Sequence, residues 1–232
     1  MHFGLSGDEW QAVRLSLDVA ARSVFVSLIP AVAVAWILVR CRFPGRTLLD
    51  ALVLLPMVVP PVVVGWGLLM LFGVRGPIGA PLNDWFGVRL VFTTEGAALA
   101  TAVMSFPLIV RSVRLSLENV DLGLEAAART LGAGPIDRFF TITLPLMSPG
   151  ILAGAVTAFA AGLGEFGAVI TFASNIPGET QTLPLAIYSA TQSPGGEATA
   201  GRLALVSFTL AISGLLLAEL IARRMHLLLG RG

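Results

Sequence analysis

One carboxylate, Glu165, lies inside a long apolar stretch of the sequence and has glycines at positions 162, 164 and 167 around it. A carboxylate in such a setting is costly unless it faces protein or water, so it is a candidate for function. It could act as a general acid or base, although the apolar stretches contain no histidine and no second central carboxylate to support that chemistry. It could instead gate a pathway, or fix the register of two helices through a hydrogen bond.

Other side chains that carry chemistry are scarce. All 15 positions counted as lysine or arginine are arginine. Without lysine the chain cannot form a Walker A phosphate loop or a lysine Schiff base, so any ATP-driven work needs a second chain. The lone cysteine, Cys41, excludes an intrachain disulfide, and two histidines are too few for a histidine metal site. We expect no metal, no cofactor and no catalytic residues, and a net charge of +1 gives no indication of nucleic acid binding.

The composition predicts the element type that positions these residues. The chain is 56% hydrophobic and 12% charged, with a mean hydropathy of +0.86, which is typical of an integral membrane protein. Five stretches are long enough to span about 30 Å of hydrocarbon. They cover residues 15–39, 49–72, 96–113, 150–172 and 203–221. We predict an all-α membrane protein with about five transmembrane helices, forming one domain over residues 1–232 with its core at 15–225.

A shorter apolar segment, residues 182–188, cannot span a bilayer. It is predicted to be an interfacial or re-entrant helix, which could add a sixth, short membrane segment. The prolines at 56, 60 and 61 remove backbone donors inside the second stretch. They predict a distorted helix that lines a pathway, and ordinary helix packing is the alternative.

The arginines predict an orientation. If five spans alternate, ten arginines fall on one side of the membrane and four on the other. The ten are Arg40, Arg42, Arg46, Arg111, Arg114, Arg129, Arg138, Arg223, Arg224 and Arg231, and the four are Arg14, Arg75, Arg89 and Arg202. The richer side is expected to be cytoplasmic. The N-terminus is then outside and the C-terminus inside, and the polar stretch between the third and fourth spans is cytoplasmic.

That polar stretch, residues 125–145, has strong local signals. Residues 126–131 favour a helix, Gly132 and Gly134 can end it, and Pro135 suits the first turn of another helix. The result is a helix, a sharp turn and a second helix held between two membrane anchors. Such a shape suits docking into a groove on a partner protein, and an ordinary loop with a helical turn is the alternative.

The same stretch resembles the EAA loop of ABC-importer permeases. That pattern is Glu-Ala-Ala, three residues, Gly, nine residues, Ile, one residue and Leu-Pro. Its later positions fall on Gly132, Ile142, Leu144 and Pro145, whereas its first three fall on Ala126, Ala127 and Ala128, with Glu125 one residue early. The resemblance implies a type I importer permease fold, in which residues of about 118–145 form a cytoplasmic coupling helix gripped by an ATPase subunit. The early glutamate leaves the role of the carboxylate open.

Two further motifs resemble the molybdate branch of these importers: Gly-Glu-Phe-Gly-Ala at 164–168 and Ser-Asn-Ile-Pro-Gly-Glu-Thr at 174–180. The resemblance implies a permease homodimer in the bacterial inner membrane, two cytoplasmic ATP-binding subunits and an external, periplasmic molybdate-binding protein. It makes the chain a transport subunit and not an enzyme. Sulfate or tungstate import is the near alternative, and a passive channel or scaffold is a third interpretation, which does not need a docking loop.

Molybdate is a tetrahedral dianion, and the predicted spans offer few fixed positive charges that could trap it. Weak contacts with hydroxyls and backbone N–H groups would suit its transit. The candidate pathway or gate residues are Pro60, Pro61, Ser105, Thr157, Glu165 and Thr171.

Overall fold

The computed structural model describes residues 4–228, without the side chains of residue 218 and of residues 221–228. Every regular element in that part of the chain is helical, which confirms the predicted all-α class. The helices are α1 (Gly7–Arg40), α2 (Arg46–Val58), α3 (Pro61–Phe72), α4 (Gly79–Phe86), α5 (Thr94–Glu118), α6 (Leu122–Thr130), α7 (Pro135–Arg138), α8 (Leu144–Leu163), α9 (Gly167–Phe172), α10 (Leu183–Thr191) and α11 (Glu197–Leu228). A π-helical turn, Phe139–Thr143, joins α7 to α8.

Four helical stretches in the described chain are long and apolar enough to cross a membrane: α1, α5, the continuous unit Pro135–Leu163, and α11 up to Leu217. A fifth candidate is the pair α2 and α3, whose axes bend by 115° at the break between them. The span count confirms the prediction of about five. The second predicted stretch, however, is not one helix, because Pro60 lies in the break and Pro61 opens α3, where a proline costs no hydrogen bond.

The bent pair still runs from one end of the bundle to the other. Near its start, Asp50 accepts a hydrogen bond from Nη1 of Arg114 at 3.0 Å, close to the C-terminal end of α5. At its C-terminal end, Phe72 packs against a buried hydrophobic cluster that contains Ala97, near the N-terminal end of α5. The chain therefore crosses the bundle through two half-helices instead of one.

The fourth predicted span, residues 150–172, is shifted in the structure. Helix begins at Pro135 and ends at Leu163, and the chain is then non-helical until α9 begins at Gly167. Glu165 therefore lies in a helix break and not inside a span, which corrects the position expected from the sequence. The break is local: Gly164 caps the end of α8, and Oε1 of Glu165 accepts the backbone N–H of Ala168 in α9 at 3.0 Å.

Small residues let the central helices approach closely. A Cβ atom on Gly150 would lie 2.3 Å from Cβ of Ser116, and one on Gly162 would lie 2.9 Å from Cγ2 of Thr101, so α8 packs backbone-close against α5. Ser112 donates from its hydroxyl to the carbonyl of Gly150 at 2.8 Å. These contacts make α5 and α8 the centre of the bundle, with α1 and α11 packed against them.

The bundle has two distinct ends. One, which we call the far end, holds the starts of α1 and α11 with α10, since Val13, Leu183 and Leu203 share one buried cluster. The short helix predicted at 182–188 is thus confirmed as α10, which is too short to span the bundle. The other end, which we call the elbow end, holds the C-terminal ends of α1 and α5 and the connection from α5 to α8. The side chains of Arg223 and Arg224, and all of Arg231, lie outside the described part of the chain.

Candidate functional site

The connection between α5 and α8 forms a sharp helical turn, which we call the elbow (residues 121–143). Asp121 caps α6 by accepting the backbone N–H of Gly123 at 2.7 Å. The helix ends at Thr130, and Gly132 then adopts φ +90°, a conformation that favours glycine over any residue with a Cβ. Pro135 opens α7 as predicted. The helix–turn–helix expected from the sequence is confirmed, with α6 starting four residues earlier than the predicted start at Ala126.

The second arm of the elbow is not a plain α-helix. The segment Phe139–Thr143 is π-helical and carries the chain directly into α8. π-Helical turns are rare and recur at functional sites. Ile142 and Leu144 are half-buried here, Pro145 is exposed, and Thr143 is fully buried. The Ile-x-Leu-Pro part of the pattern therefore lies where the elbow enters the bundle.

The elbow's carboxylate faces the protein's own bundle. Oε1 of Glu125 accepts from Nη2 of Arg40, at the end of α1, at 2.7 Å, and from the hydroxyl of Thr143 at 2.9 Å. Ala126 and Ala127 lie on the exposed side of α6, and Ala128 is half-buried. One residue turns a helix by about 100°. A carboxylate at position 126 would therefore lie on the exposed side of α6, whereas that of Glu125 points inward.

The elbow exposes three large apolar side chains. Leu131 is 88% exposed, Ile136 is 73% exposed and Phe140 is 60% exposed, and they lie on both sides of the Gly132 turn. Neither α6 nor α7 contains a buried residue. Large exposed apolar side chains on a turn outside the bundle are typical of a protein-binding surface.

Three of the candidate pathway residues come together where two helix breaks meet. A Cβ atom on Gly65 in α3 would lie 2.8 Å from Cβ of Thr171, and one on Gly167 in α9 would lie 2.8 Å from Cβ of Pro61. Glu165 adjoins the same contact through its hydrogen bond to Ala168. The first turn of α3 and the whole of α9 thus pack together in the half of the bundle nearer the far end.

The remaining candidates do not join this cluster as a single site. Pro60 is exposed beside Pro61, Ser105 is buried in α5, and Thr157 is exposed on α8. The hydroxyls of Ser105, Thr157 and Thr171 each donate to a carbonyl of their own helix, at 2.9, 2.8 and 2.8 Å. A hydroxyl used in this way presents only its oxygen, so it would have to turn before it could donate to an oxyanion.

Among the described side chains, no three His, Cys, Asp or Glu residues lie close enough together to hold a metal ion.

Comparison with known proteins decides the family. Residues 23–227 match the family described as the inner membrane component of binding-protein-dependent transport systems. The chain belongs to this family. It is therefore a multi-pass permease of the inner membrane and a transport component, and the interpretation of Glu165 as the acid or base of an enzyme is set aside.

Individual relatives agree with the family. The permease is 58% identical over 219 residues to the molybdenum transport system permease protein ModB of Escherichia coli K12, covering 94% of this chain and 96% of that one. It is 53% identical to the Haemophilus influenzae protein of the same description, covering 97% and 98%. The sulfate transport system permease protein CysT of Salmonella typhimurium is 46% identical over 154 residues, covering 66% of this chain and 55% of that one.

Solved structures show the same fold. A bacterial alginate ABC transporter in complex with a periplasmic protein aligns with TM-score 0.74 and 17% identity, covering 95% of the permease and 80% of that chain. An amino acid ABC transporter aligns with TM-score 0.64 and 18% identity, covering 94% of both chains. The type I importer permease fold expected from the elbow motif is therefore confirmed.

Two residues that hold the elbow were not singled out from the sequence. In the sequence, Arg40 is one of the ten arginines that predict the orientation of the permease, and Thr143 is part of the loop motif. Their partner, Glu125, lies 85 positions from Arg40 and 18 from Thr143. The one local signal was an arginine in the last turn of a long helix, a position that also suits the helix dipole.

Proposed function

We propose that this chain is the membrane-spanning permease of an ATP-driven importer of molybdate, a single transport domain coupled through its elbow to a separate cytoplasmic ATPase subunit. One observation carries the coupling part: the elbow presents Leu131, Ile136 and Phe140 to the outside of the bundle. Burying such side chains in a groove on a partner would stabilise a complex by about 25 cal/mol per Å² of apolar surface, before the costs of association. The chain has no lysine with which to bind ATP itself.

The elbow end is assigned to the cytoplasm. Seven arginines of the described chain that precede α8 belong to this end: Arg40, Arg42, Arg46, Arg111, Arg114, Arg129 and Arg138. Arg14, Arg75, Arg89 and Arg202 belong to the far end, and so does Arg22, which pairs with Glu95 in the first turn of α5. The asymmetry follows the positive-inside tendency and supports an external N-terminus and a cytoplasmic C-terminus.

The partners follow from the transport class. The family takes its substrates from a binding protein, and a solved transporter of the same fold is described in complex with a periplasmic protein. We assign to this permease a second copy of itself, two ATP-binding subunits on the elbow side and a periplasmic molybdate-binding protein at the far end. ATP binding would draw the two elbows together and switch the pathway between its two openings.

Molybdate is supported by the two relatives described as molybdenum transport permeases, which match nearly the whole chain at 58% and 53% identity. Sulfate is the alternative supported by a specific relative, but that match covers only 66% of this chain. Tungstate shares the shape and charge of molybdate, so it remains a candidate second substrate. Transit would pass the contact of α3 with α9, where Pro61, Glu165 and Thr171 gather.

A pair of glycine variants tests the docking surface. Gly132→Val forces a β-branched residue into φ +90°, whereas Gly134→Ala changes a residue with φ −68° that has open space around it. We expect Gly132→Val to lose co-purification with the ATPase subunit and ATP-dependent molybdate uptake into proteoliposomes, and Gly134→Ala to retain both. Normal association and uptake in Gly132→Val would contradict the docking role of the elbow.

The ion is tested in the same proteoliposomes with the binding protein present. Uptake of labelled molybdate should fall when unlabelled tungstate is added and should persist in an equal concentration of sulfate. Sulfate uptake at the same rate as molybdate uptake would favour the alternative.

A further inference from the structure

The contact between Arg40 and Glu125 is more enclosed than an ordinary surface ion pair. The two side chains are only 17% and 18% exposed, and Nη2 of Arg40 lies 2.7 Å from Oε1 of Glu125. The same oxygen accepts the hydroxyl of Thr143, which is buried. One carboxylate oxygen therefore joins three elements: the end of α1, the middle of α6 and the last residue of the π-helical turn.

Two aromatic side chains pack beside the Arg40–Glu125 ion pair. The guanidinium carbon of Arg40 lies 5.7 Å from the ring centre of Trp36, one helical turn earlier in α1. Trp36 in turn meets Phe139, the first residue of the π-helical turn, edge to face with ring centres 5.2 Å apart. A ring over a guanidinium adds cation–π attraction, and the contact with Phe139 connects that ring to the π-helical turn. We call these five residues the brace: Trp36, Arg40, Glu125, Phe139 and Thr143.

Glu125 is the only carboxylate that pairs with Arg40 among the described side chains. Nε of Arg40 is buried and has no hydrogen-bond partner there. Loss of Glu125 would leave a largely enclosed cation without a counter-charge, which costs more than loss of an exposed pair. α6, in contrast, has no buried residue with which to hold its own position. The brace thus links α6 to the end of a membrane-spanning helix through an enclosed ion pair.

We propose that Arg40 is a positioning residue, which fixes the elbow to the end of α1 so that a displacement of the elbow moves α1 with it. The proposal rests on the proposed function for its consequence in transport, but the brace itself is a property of this chain alone. Without the brace, an ATPase subunit could still hold the elbow, yet its movement would be taken up by α6 instead of reaching the bundle. Arg40 therefore acts in coupling and not in docking.

Hydrogen–deuterium exchange of the purified permease tests the brace without the ATPase. We expect Arg40→Ala and Glu125→Gln each to raise exchange in the peptide covering residues 122–143 by about tenfold, which corresponds to about 1.4 kcal/mol of lost local stability. Peptides from the centres of α5 and α8 should exchange as in the unmodified chain. The double variant Arg40→Ala/Glu125→Gln should exchange no faster than either single variant, because both single changes remove the same ion pair. Arg42→Ala, an exposed neighbour at the same end, is the matched control.

Unchanged exchange in both single variants, or additive effects in the double variant, would overturn the brace.

The second readout uses the complex with the ATPase subunit. The Arg40→Ala permease should co-purify with the ATPase subunit, and the complex should keep its basal rate of ATP hydrolysis. The stimulation of ATP hydrolysis by substrate-loaded binding protein and the rate of uptake should both fall about tenfold. Arg40→Lys keeps the charge and should recover part of both.

The two readouts separate the two proposals. If Arg40→Ala loosens the elbow but stimulation and uptake are unchanged, the positioning role is overturned. If the unmodified permease fails to associate with the ATPase subunit at all, the proposed function fails, while the exchange result still decides whether the brace exists.

Discussion

Arg202 and Glu9, 193 positions apart, form the shortest ion pair of the described chain, with Nη2 of Arg202 2.6 Å from Oε1 of Glu9. Glu9 is 5% exposed, and its other oxygen accepts the backbone N–H of Ser6 at 2.7 Å. Ser6 also accepts from the backbone of Glu9, so the residues form a capping box at the start of α1. One carboxylate thereby both starts the first membrane helix and attaches it to the last.

Arg202→Ala should destabilise the permease by about 1–3 kcal/mol, because it leaves an enclosed carboxylate with one partner fewer. The lower part of that range is expected, since Arg202 itself is nearly half exposed. The measurement is thermal unfolding in detergent, read as a lower Tm. Arg14→Ala is the control, an exposed arginine on α1 for which the described chain shows no ion pair. Equal Tm values for the two variants would show that the attachment of α1 to α11 does not depend on this pair.

A second prediction concerns the contact between the two broken spans. A Cβ atom on Gly65 would lie 2.7 Å from the backbone oxygen of Ala168, whereas one on Gly67 would meet nothing within 4 Å. Gly65→Ala should therefore push α3 away from α9, lowering both Tm and molybdate uptake. Gly67→Ala should be neutral or stabilising by up to about 1 kcal/mol, since alanine favours helix. If both variants lose uptake and keep the Tm of the unmodified chain, the loss of uptake does not come from the close approach of α3 to α9 at Gly65.

The elbow was predictable because its signals are local. Gly132 and Pro135 act on the backbone of their own turn, and the apolar stretches on either side fix which segment protrudes. For the bend after Val58, the sequence predicts a distortion but no angle. Two adjacent prolines indicate that hydrogen bonds are lost, but the angle between the halves depends on how α3 packs against α9.

The position of Glu165 and the direction of Glu125 were harder to predict, for different reasons. Residues 150–172 are almost uniformly apolar, so composition could not reveal that helix stops at Leu163 and resumes at Gly167. The partner of Glu125 lies on a helix that ends far away in the sequence, and ion pairs between distant segments have no periodic signature. Only the three-dimensional packing decides such contacts.

A third prediction concerns the apolar tip of the elbow. Leu131→Ala removes the most exposed apolar side chain of the elbow, so the permease should keep its Tm but bind the ATPase subunit at least about tenfold more weakly, as for an interface hot spot. The dissociation constant can be measured by titrating labelled ATPase subunit onto permease in nanodiscs. Leu122→Ala, at the opposite end of α6 and also exposed, is the control and should bind nearly as the unmodified chain does. A larger loss in Leu122→Ala would move the docking surface away from the Gly132 turn.

The last prediction concerns the orientation of the permease in the membrane, which labelling of its native cysteine can report. Cys41 is the single cysteine, it is exposed, and it follows the last turn of α1 at the elbow end. If that end is cytoplasmic, a membrane-impermeant maleimide should label Cys41 in inverted membrane vesicles and leave it unlabelled in intact spheroplasts. Ser193 lies in the exposed turn before α11 at the far end, so a cysteine at this position probes the external side. A Cys41→Ser/Ser193→Cys variant should react in spheroplasts only, because α11 crosses the membrane between that turn and the C-terminus. Labelling of Cys41 from outside would put the elbow where no cytoplasmic ATPase subunit could reach it, and the coupling proposal would have to be abandoned.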